Sequence, residues 1–306
     1  MSEPNIRPPK SPGLSLAKGL LESMRPHQWV KNAFVLAPVI FSLNFEHPAL
    51  LLRAALATVL FCVLSGAVYL LNDVLDVDAD RAHPIKRNRP VASGRVPVGF
   101  AKLTCGILTV LALLSMFLLS PWAGLVAAAY FVMNVAYSVR LKHVAFIDVG
   151  IIATGFLLRI LAGSLAIDVA VSTWLIACTF LLALYLALGK RKHELRSSGN
   201  ARKQRAVLGR YDPNHVHLAM LVVGILTVGT YIAYTLAPTT QHYFDLSWPQ
   251  LTLTIPFTAF GVARFFWLAS EGDVGVSPTE HMLKDKLFLL NLVAWIAVVM
   301  AVVYFN

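Results

Sequence analysis

The sequence predicts an all-α, polytopic membrane protein with nine transmembrane helices and a cytoplasmic N-terminus. Three observations predict it. The 306-residue chain is 57% hydrophobic and only 14% charged, with a mean hydropathy of +0.67, a balance typical of integral membrane proteins. Apolar runs near the length a bilayer requires, about 20 residues, recur at 28–45, 49–71, 101–120, 122–139, 146–166, 172–189, 215–236, 250–269 and 286–305. Of the 26 Lys and Arg, all but Arg53, Arg159 and Arg264 fall in the N-terminal segment or in alternate loops, while the loops near 46, 121, 168 and 237–249 carry none. The positive-inside rule then places the N-terminus in the cytoplasm and requires an odd number of spans.

The elements follow in order. Prolines at 4, 8, 9 and 12 predict a disordered tail over 1–20, followed by one transmembrane domain over 21–306. Met1 to Leu20 holds Arg7, Lys10 and Lys18 without an apolar core, so no cleavable signal is expected. The first span is interrupted by Lys31, Asn32 and Pro38, and the third and fourth meet at a tight Ser120-Pro121 turn. Cys62, Cys105 and Cys178 lie inside apolar runs without paired spacing and read as packing residues. The net charge of +10 sits in membrane-flanking loops. Attraction to anionic lipid accounts for it, and nucleic acid is not an expected partner.

The densest chemistry follows the second span. Residues 72–94 read Asn-Asp-Val-Leu-Asp-Val-Asp-Ala-Asp-Arg-Ala-His-Pro-Ile-Lys-Arg-Asn-Arg-Pro-Val-Ala-Ser-Gly. Asp73, Asp76 and Asp80, three and four apart, would stack on one helix face. Stacked carboxylates repel one another unless a hard cation joins them, and oxygen ligands suit Mg²⁺. Asn72 adds a neutral oxygen, whereas Asp78 is off that face. Mg²⁺ usually keeps one or two protein carboxylates and completes its shell with water and phosphate oxygens. The expectation is a metal-diphosphate site at a membrane surface. Lys86 and Arg89 are candidate phosphate ligands, Arg87 less so, in a loop fixed by Pro84 and Pro90. His83 shapes that loop.

Two more polar segments lie on the same expected side: Tyr137 to His143 with Asp148, and Gly189 to Leu195. Asp148 and Arg159 are eleven residues apart and share a face of the fifth span. A charge as deep as Arg159 is a functional candidate by default. None of the acids lies mid-span, which argues against a proton-coupled transporter. No phosphate-binding G-x-x-x-x-G-K-[ST] loop and no G-x-S-x-G elbow occurs.

The motif Asn72-Asp73-x-x-Asp76-x-x-x-Asp80, with Arg89-Pro90 and Ser93-Gly94 behind it, resembles the first aspartate-rich motif of the UbiA superfamily of intramembrane prenyltransferases. The nine-span pattern agrees, and the resemblance spans nearly the whole chain. Several segments together resemble its decaprenyl-phosphate phosphoribosyltransferase branch. They are Arg25-Pro-His-Gln28-Trp29-Val-Lys31-Asn32, His83-Pro84-x-Lys86-x-x-Arg89-Pro90, Tyr137-Ser-x-x-Leu-Lys142 with Asp148, Arg159, and Gly189-Lys190-Arg191.

The resemblance implies transfer of 5-phosphoribose from phosphoribosyl diphosphate (PRPP) to a polyprenyl phosphate. In actinobacteria that step feeds cell-wall arabinan synthesis. It also implies Mg²⁺ on Asn72, Asp73, Asp76 and Asp80, and substrate binding by Arg25, Lys31, Lys86, Arg89, Tyr137, Lys142, Asp148, Arg159, Lys190 and Arg191. The location implied is the bacterial plasma membrane with the site facing the cytoplasm, in a possible homotrimer. Aromatic prenyltransferases carry a second pair of acids four apart, but here Ile152 stands four after Asp148. An aromatic prenyltransferase is therefore the alternative enzyme, and a transporter the alternative outside catalysis. The loop Ser270–Asp285 is a candidate lid.

Overall fold

The computed structural model describes residues 12–42, 46–196, 206–246, 249–271 and 278–304. They are helical apart from short connections, as expected. Among them, eight helices are long and apolar enough to cross a membrane: Pro48–Leu75, Val98–Leu119, Pro121–Val139, Ile147–Ile167, Thr173–Arg196, Pro213–Leu236, Gln250–Glu271 and Lys286–Val303. The ninth expected span, 28–45, is not one of them. Pro26–Val35 forms a 3₁₀ helix, and a short α2 (Ala37–Phe41) follows it. A straight span here would carry Lys31 and Asn32 through lipid and place Pro38 inside a helix, where its ring cannot donate. Instead Asn32 turns inward and is 1% exposed.

The tail expected over 1–20 gives way to α1 (Pro12–Met24). Proline suits the first helical position, no β-branched residue follows, and Leu16 and Leu20 fall four apart, on one face. That face packs on Ala67, Leu70 and Val96. Residues 1–11 lie outside the described residues.

By its internal contacts the chain divides into two compact units. The first comprises Met1–Val139 with Leu158–Ala170, and the second Arg140–Leu157 with Val171–Asn306.

In the first unit, α3 (Pro48–Leu75), α5 (Val98–Leu119), α6 (Pro121–Val139) and the last part of α7 (Ile147–Ile167) enclose Phe61, Leu64, Met116 and Tyr130. The 28 residues of α3 measure about 42 Å, more than the roughly 30 Å hydrocarbon core. Its last turn, with Asn72 and Asp73, can therefore stand beyond the lipid tails. At its other end, Arg53 donates to the carbonyls of Ala166 (2.8 Å) and Leu119 (2.7 Å), satisfying the open ends of α7 and α5. The 3₁₀ segment lies so close to α7 that a Cβ on Gly163 would sit 2.0 Å from the Val35 carbonyl oxygen.

In the second unit, α8 (Thr173–Arg196), α9 (Pro213–Leu236) and α11 (Ile255–Glu271) pack around Tyr185, Met220 and Phe265, and a short α10 (Pro238–Tyr243) follows α9. A Cβ on Gly189 would stand 2.4 Å from the Phe265 ring, so glycine lets α8 and α11 approach. The short α12 (Pro278–Lys284) and α13 (Lys286–Tyr304) complete the unit. Arg264 clamps Asp285 with both arms, at 2.7 and 3.1 Å, and its guanidinium lies 4.4 Å over the Trp267 ring. The candidate lid is partly an ordered connection, α12, although residues 272–277 lie outside the described residues.

Two outcomes are expected. Gly163→Ala meets backbone rather than a movable side chain, so it should destabilise by about 1–3 kcal/mol or more, read as a lower melting temperature in detergent. A wild-type temperature would refute the close approach. The Arg264 hydrogen bond, with the Phe288 N–H, holds the Asp285 carboxyl below its ordinary range. A lowered carboxylate contributes stability that is present at neutral pH and is lost as pH falls below about 4. Asp285→Asn should flatten that acid limb in melting curves taken from pH 7 to 3.

Candidate active site

Two charged clusters hold most of the expected residues, one in each unit. In the first unit, Asp73 and Asp80 are 2% and 3% exposed. Arg25 donates to Asp73 Oδ1 at 2.6 Å. Arg89 Nη1 donates to Asp80 Oδ2 at 2.6 Å and lies 3.5 Å from Asp73 Oδ1. The two carboxylates therefore converge on one guanidinium. Arg25 takes a left-handed backbone (φ 53°) between α1 and the 3₁₀ segment and lies 4.9 Å over the Tyr69 ring. Left-handed backbone is costly for a residue other than glycine and persists where surrounding contacts fix it.

The carboxylates do not lie on one unbroken helix. Asp76 ends α3 (φ −95°, ψ 8°) and α4 (Val77–Arg81) begins after it. Backbone bonds still link Asn72 to Asp76 (2.9 Å) and Asp76 to Asp80 (2.8 Å), so the residues keep helix-like spacing. Among the described residues, no three His, Cys, Asp or Glu side chains stand close enough together to hold a metal ion by themselves. What the structure offers is a converging pair, with Asn72 and Asp76 beside it. A pair of hard carboxylate oxygens already facing a cationic group suits Mg²⁺, which takes its remaining ligands from phosphate and water.

The loop after α4 folds back on α1. Arg95 bonds Glu22 at 2.8 Å and the Asn88 carbonyl at 3.0 Å. His83 Nδ1 accepts from the N–H groups of Ile85 and Lys86, so it shapes the loop as expected. Lys86 is half-buried, and Arg87 is exposed.

Arg159 is 7% exposed and is held by the protein. Its Nε donates to Asn32 Oδ1 at 2.8 Å and its Nη2 to the Tyr130 hydroxyl at 2.9 Å, with the guanidinium 4.8 Å over that ring. Asn32 in turn donates to Ser65 Oγ at 3.0 Å. This buried network ties the 3₁₀ segment to α3, α6 and α7. It explains why Asn32 leaves the lipid face and brings Lys31, which is exposed, to its position.

The expected face shared by Asp148 and Arg159 does not make them partners. Asp148 is wholly buried in the second unit, where Arg191 Nε stands 2.9 Å from its Oδ2 and the Tyr211 hydroxyl donates to its Oδ1. Arg191, 1% exposed, also pairs with Glu194. Tyr211 accepts from the Phe146 N–H at 2.8 Å, and the two rings meet edge-on at 5.0 Å. Phe146 has φ 65°, a conformation that an L-residue with a large side chain rarely adopts. Arg210 adds a bond to the His143 carbonyl at 3.1 Å. Tyr211 and Arg210 thus staple the 140–148 loop, which carries the half-buried Lys142. Burial first, then the bond to Asp148, pushes the Tyr211 phenol well above its ordinary range. Tyr137 is half-buried on α6, and Lys190 is exposed on α8.

Sequence reasoning missed Tyr211, Glu194 and Tyr130. Nothing in the chain links Tyr211 to Asp148, 63 residues away. Glu194 lay within the polar segment Gly189 to Leu195, but no role was expected of it.

Removing Asp148 would take a buried carboxylate away from the charged and buried Arg191. Asp148→Ala should cost about 3–5 kcal/mol, and Tyr211→Phe about 1–3 kcal/mol through the unpaired Phe146 N–H and carboxylate. Thermal unfolding in detergent ranks the two, and the reverse order would contradict the arrangement.

The chain matches the model of the UbiA prenyltransferase family over residues 33–273. Decaprenyl-phosphate phosphoribosyltransferase of Mycolicibacterium smegmatis is 32% identical, over 100% of this chain and 97% of that protein. The protein of the same name from Corynebacterium glutamicum is 33% identical, over 96% of this chain and 90% of its own length. In fold, the chain is similar to a UbiA homolog from Archaeoglobus fulgidus bound to DMAPP and Mg²⁺, with a TM-score of 0.69 at 18% identity over 93% of this chain and 99% of the other. It is also similar to a structure described as concerning digeranylgeranylglyceryl phosphate synthase, with a TM-score of 0.67 at 17% identity over 94% of this chain and 98% of that one. With a converging acidic pair at the motif and a family match across most of its length, the chain belongs to the UbiA prenyltransferase family.

Proposed function

We propose that the protein transfers 5-phosphoribose from PRPP to a polyprenyl phosphate and releases diphosphate. The observation that carries this reading is the pair of buried carboxylates converging with Arg25 and Arg89 at the end of an apolar span. Full-length likeness to proteins named decaprenyl-phosphate phosphoribosyltransferase supports the donor and acceptor classes. The placement of the basic loops supports a site on the cytoplasmic side of a bacterial plasma membrane.

Asp73 and Asp80, with Asn72 and Asp76, are the residues that would hold Mg²⁺. When bound, the metal supplies positive charge that stabilises a departing diphosphate. Arg25, Arg89 and Lys86 offer charge-assisted donors to the same diphosphate as the bond from C1 to oxygen breaks. The lipid phosphate is already ionised, so its oxygen attacks C1 without a strong base. Lys142 and Lys190 are proposed to bind the donor's 5-phosphate or the lipid phosphate, with Tyr137 and Lys31 as further substrate contacts. Asp148, expected among the substrate-binding residues, is fully buried with an oxygen beside Arg191 and the other accepting from Tyr211. Its proposed part, with Arg191 behind it, is to fix the loop that carries Lys142. Arg159 is proposed to act in the same indirect way, through Asn32 and the 3₁₀ segment.

Purified protein, Mg²⁺, radiolabelled PRPP and a polyprenyl phosphate should yield a labelled lipid. Chelation by EDTA should abolish it. Asp73→Ala should lower it by about a hundredfold or more, and retained activity in that variant rejects the metal assignment. Turnover of a prenyl diphosphate with 4-hydroxybenzoate, and none of PRPP, would favour the aromatic prenyltransferase instead.

A further inference from the structure

Lys192 and Arg196 stand one turn apart at the end of α8 and take no part in the reaction proposed above. Arg191 reaches Asp148 on α7, whereas the neighbouring Lys192 reaches α11. Lys192 is 9% exposed. Its Nζ donates to Ser270 Oγ at 2.5 Å and lies 4.2 Å over the Phe266 ring. Ser270 Oγ donates onward to the Phe266 carbonyl at 2.7 Å, so the hydroxyl is fixed. His217 of α9 meets the same ring edge-on at 5.4 Å.

Lys192, Arg196 and His217, with Leu195, Pro213 and Asn214, line an open cleft of about 230 Å³. None of these lining residues is acidic. Of the acids next to them in sequence, Glu194 pairs with Arg191, and Asp212 caps α9 by accepting from the N–H groups of Asn214 and His215. Like charges four apart on a helix repel, and burying one of them raises the cost. An anion in the cleft offsets both terms. A phosphate group takes charge-assisted bonds from lysine, arginine and imidazole alike. The cleft is smaller than the roughly 300 Å³ at which drug-sized pockets begin, so it suits a headgroup rather than an isoprenoid tail.

Its position favours a lipid as the source of that phosphate. The cleft lies where α8 ends and α9 begins, and Leu218 and Leu221 stand exposed on the first turns of α9 just beyond it (57% and 42%). Basic recesses between transmembrane helices are suited to anionic headgroups. We propose that this cleft is a binding site for the phosphate of an anionic phospholipid, whose acyl chains run along α9.

Native mass spectrometry of the full-length protein in detergent tests this, with phosphatidylglycerol or phosphatidylcholine added in turn. The wild-type protein should retain phosphatidylglycerol in preference to phosphatidylcholine. Arg196→Gln and His217→Gln alter exposed side chains and should each weaken that retention by about tenfold. Lys192→Gln should do the same, with its melting temperature reporting whether it folds. Equal retention of the two lipids, or unchanged phosphatidylglycerol binding in Arg196→Gln and His217→Gln, overturns the proposal. A third arm adds inorganic phosphate. Protection by phosphate without any lipid preference overturns the lipid as occupant and assigns the cleft to a soluble phosphate compound.

Discussion

Two carboxylates that cannot both stay ionised and buried without cations govern the first unit. Asp73 and Asp80 are almost fully enclosed, and Arg25 and Arg89 reach them from opposite directions in sequence. To bring Arg25 there, the chain adopts left-handed backbone after α1. To bring Arg89 there, the loop after α4 folds back and is fastened to α1 by Arg95 and Glu22. Removing one partner of such a group would strand charge in a poorly solvated place. The same balance makes the pair responsive, because a divalent ion with its phosphates can take over the neutralising role of a guanidinium.

The second unit answers the same physical problem differently. Asp148 meets one guanidinium and one phenol and has no solvent contact. The three arginines placed within spans are likewise engaged by protein groups. Arg53 satisfies helix ends, Arg159 joins Asn32 and Tyr130, and Arg264 clamps Asp285. Each stands where lipid would penalise an unpaired charge. Four residues after Asp148 the chain carries Ile152 rather than a second acid.

Much of this was legible in the sequence because lipid imposes a strong code. Eight spans lie within a few residues of their expected bounds, apart from helix ends such as that of α8, which runs on to Arg196. Hydropathy reads runs well and irregular backbone poorly. The ninth run, 28–45, had the composition of a span, yet Asn32 found partners in Ser65 and Arg159 that no local pattern records. The aspartates were visible from their spacing, but the break at Asp76 was not, since spacing alone assumes an unbroken helix. Tyr211 was invisible for the opposite reason: its role depends on a contact across 63 residues and on the strained backbone of Phe146. Long-range polar pairing lies beyond what periodicity encodes.

The most direct test of the central claim measures divalent-metal binding at the converging pair. Electron paramagnetic resonance can follow Mn²⁺, as a stand-in for Mg²⁺, on purified protein with PRPP present. The account predicts bound Mn²⁺ that depends on PRPP and is lost in both Asp73→Asn and Asp80→Asn. Undiminished Mn²⁺ binding in those two variants would contradict it.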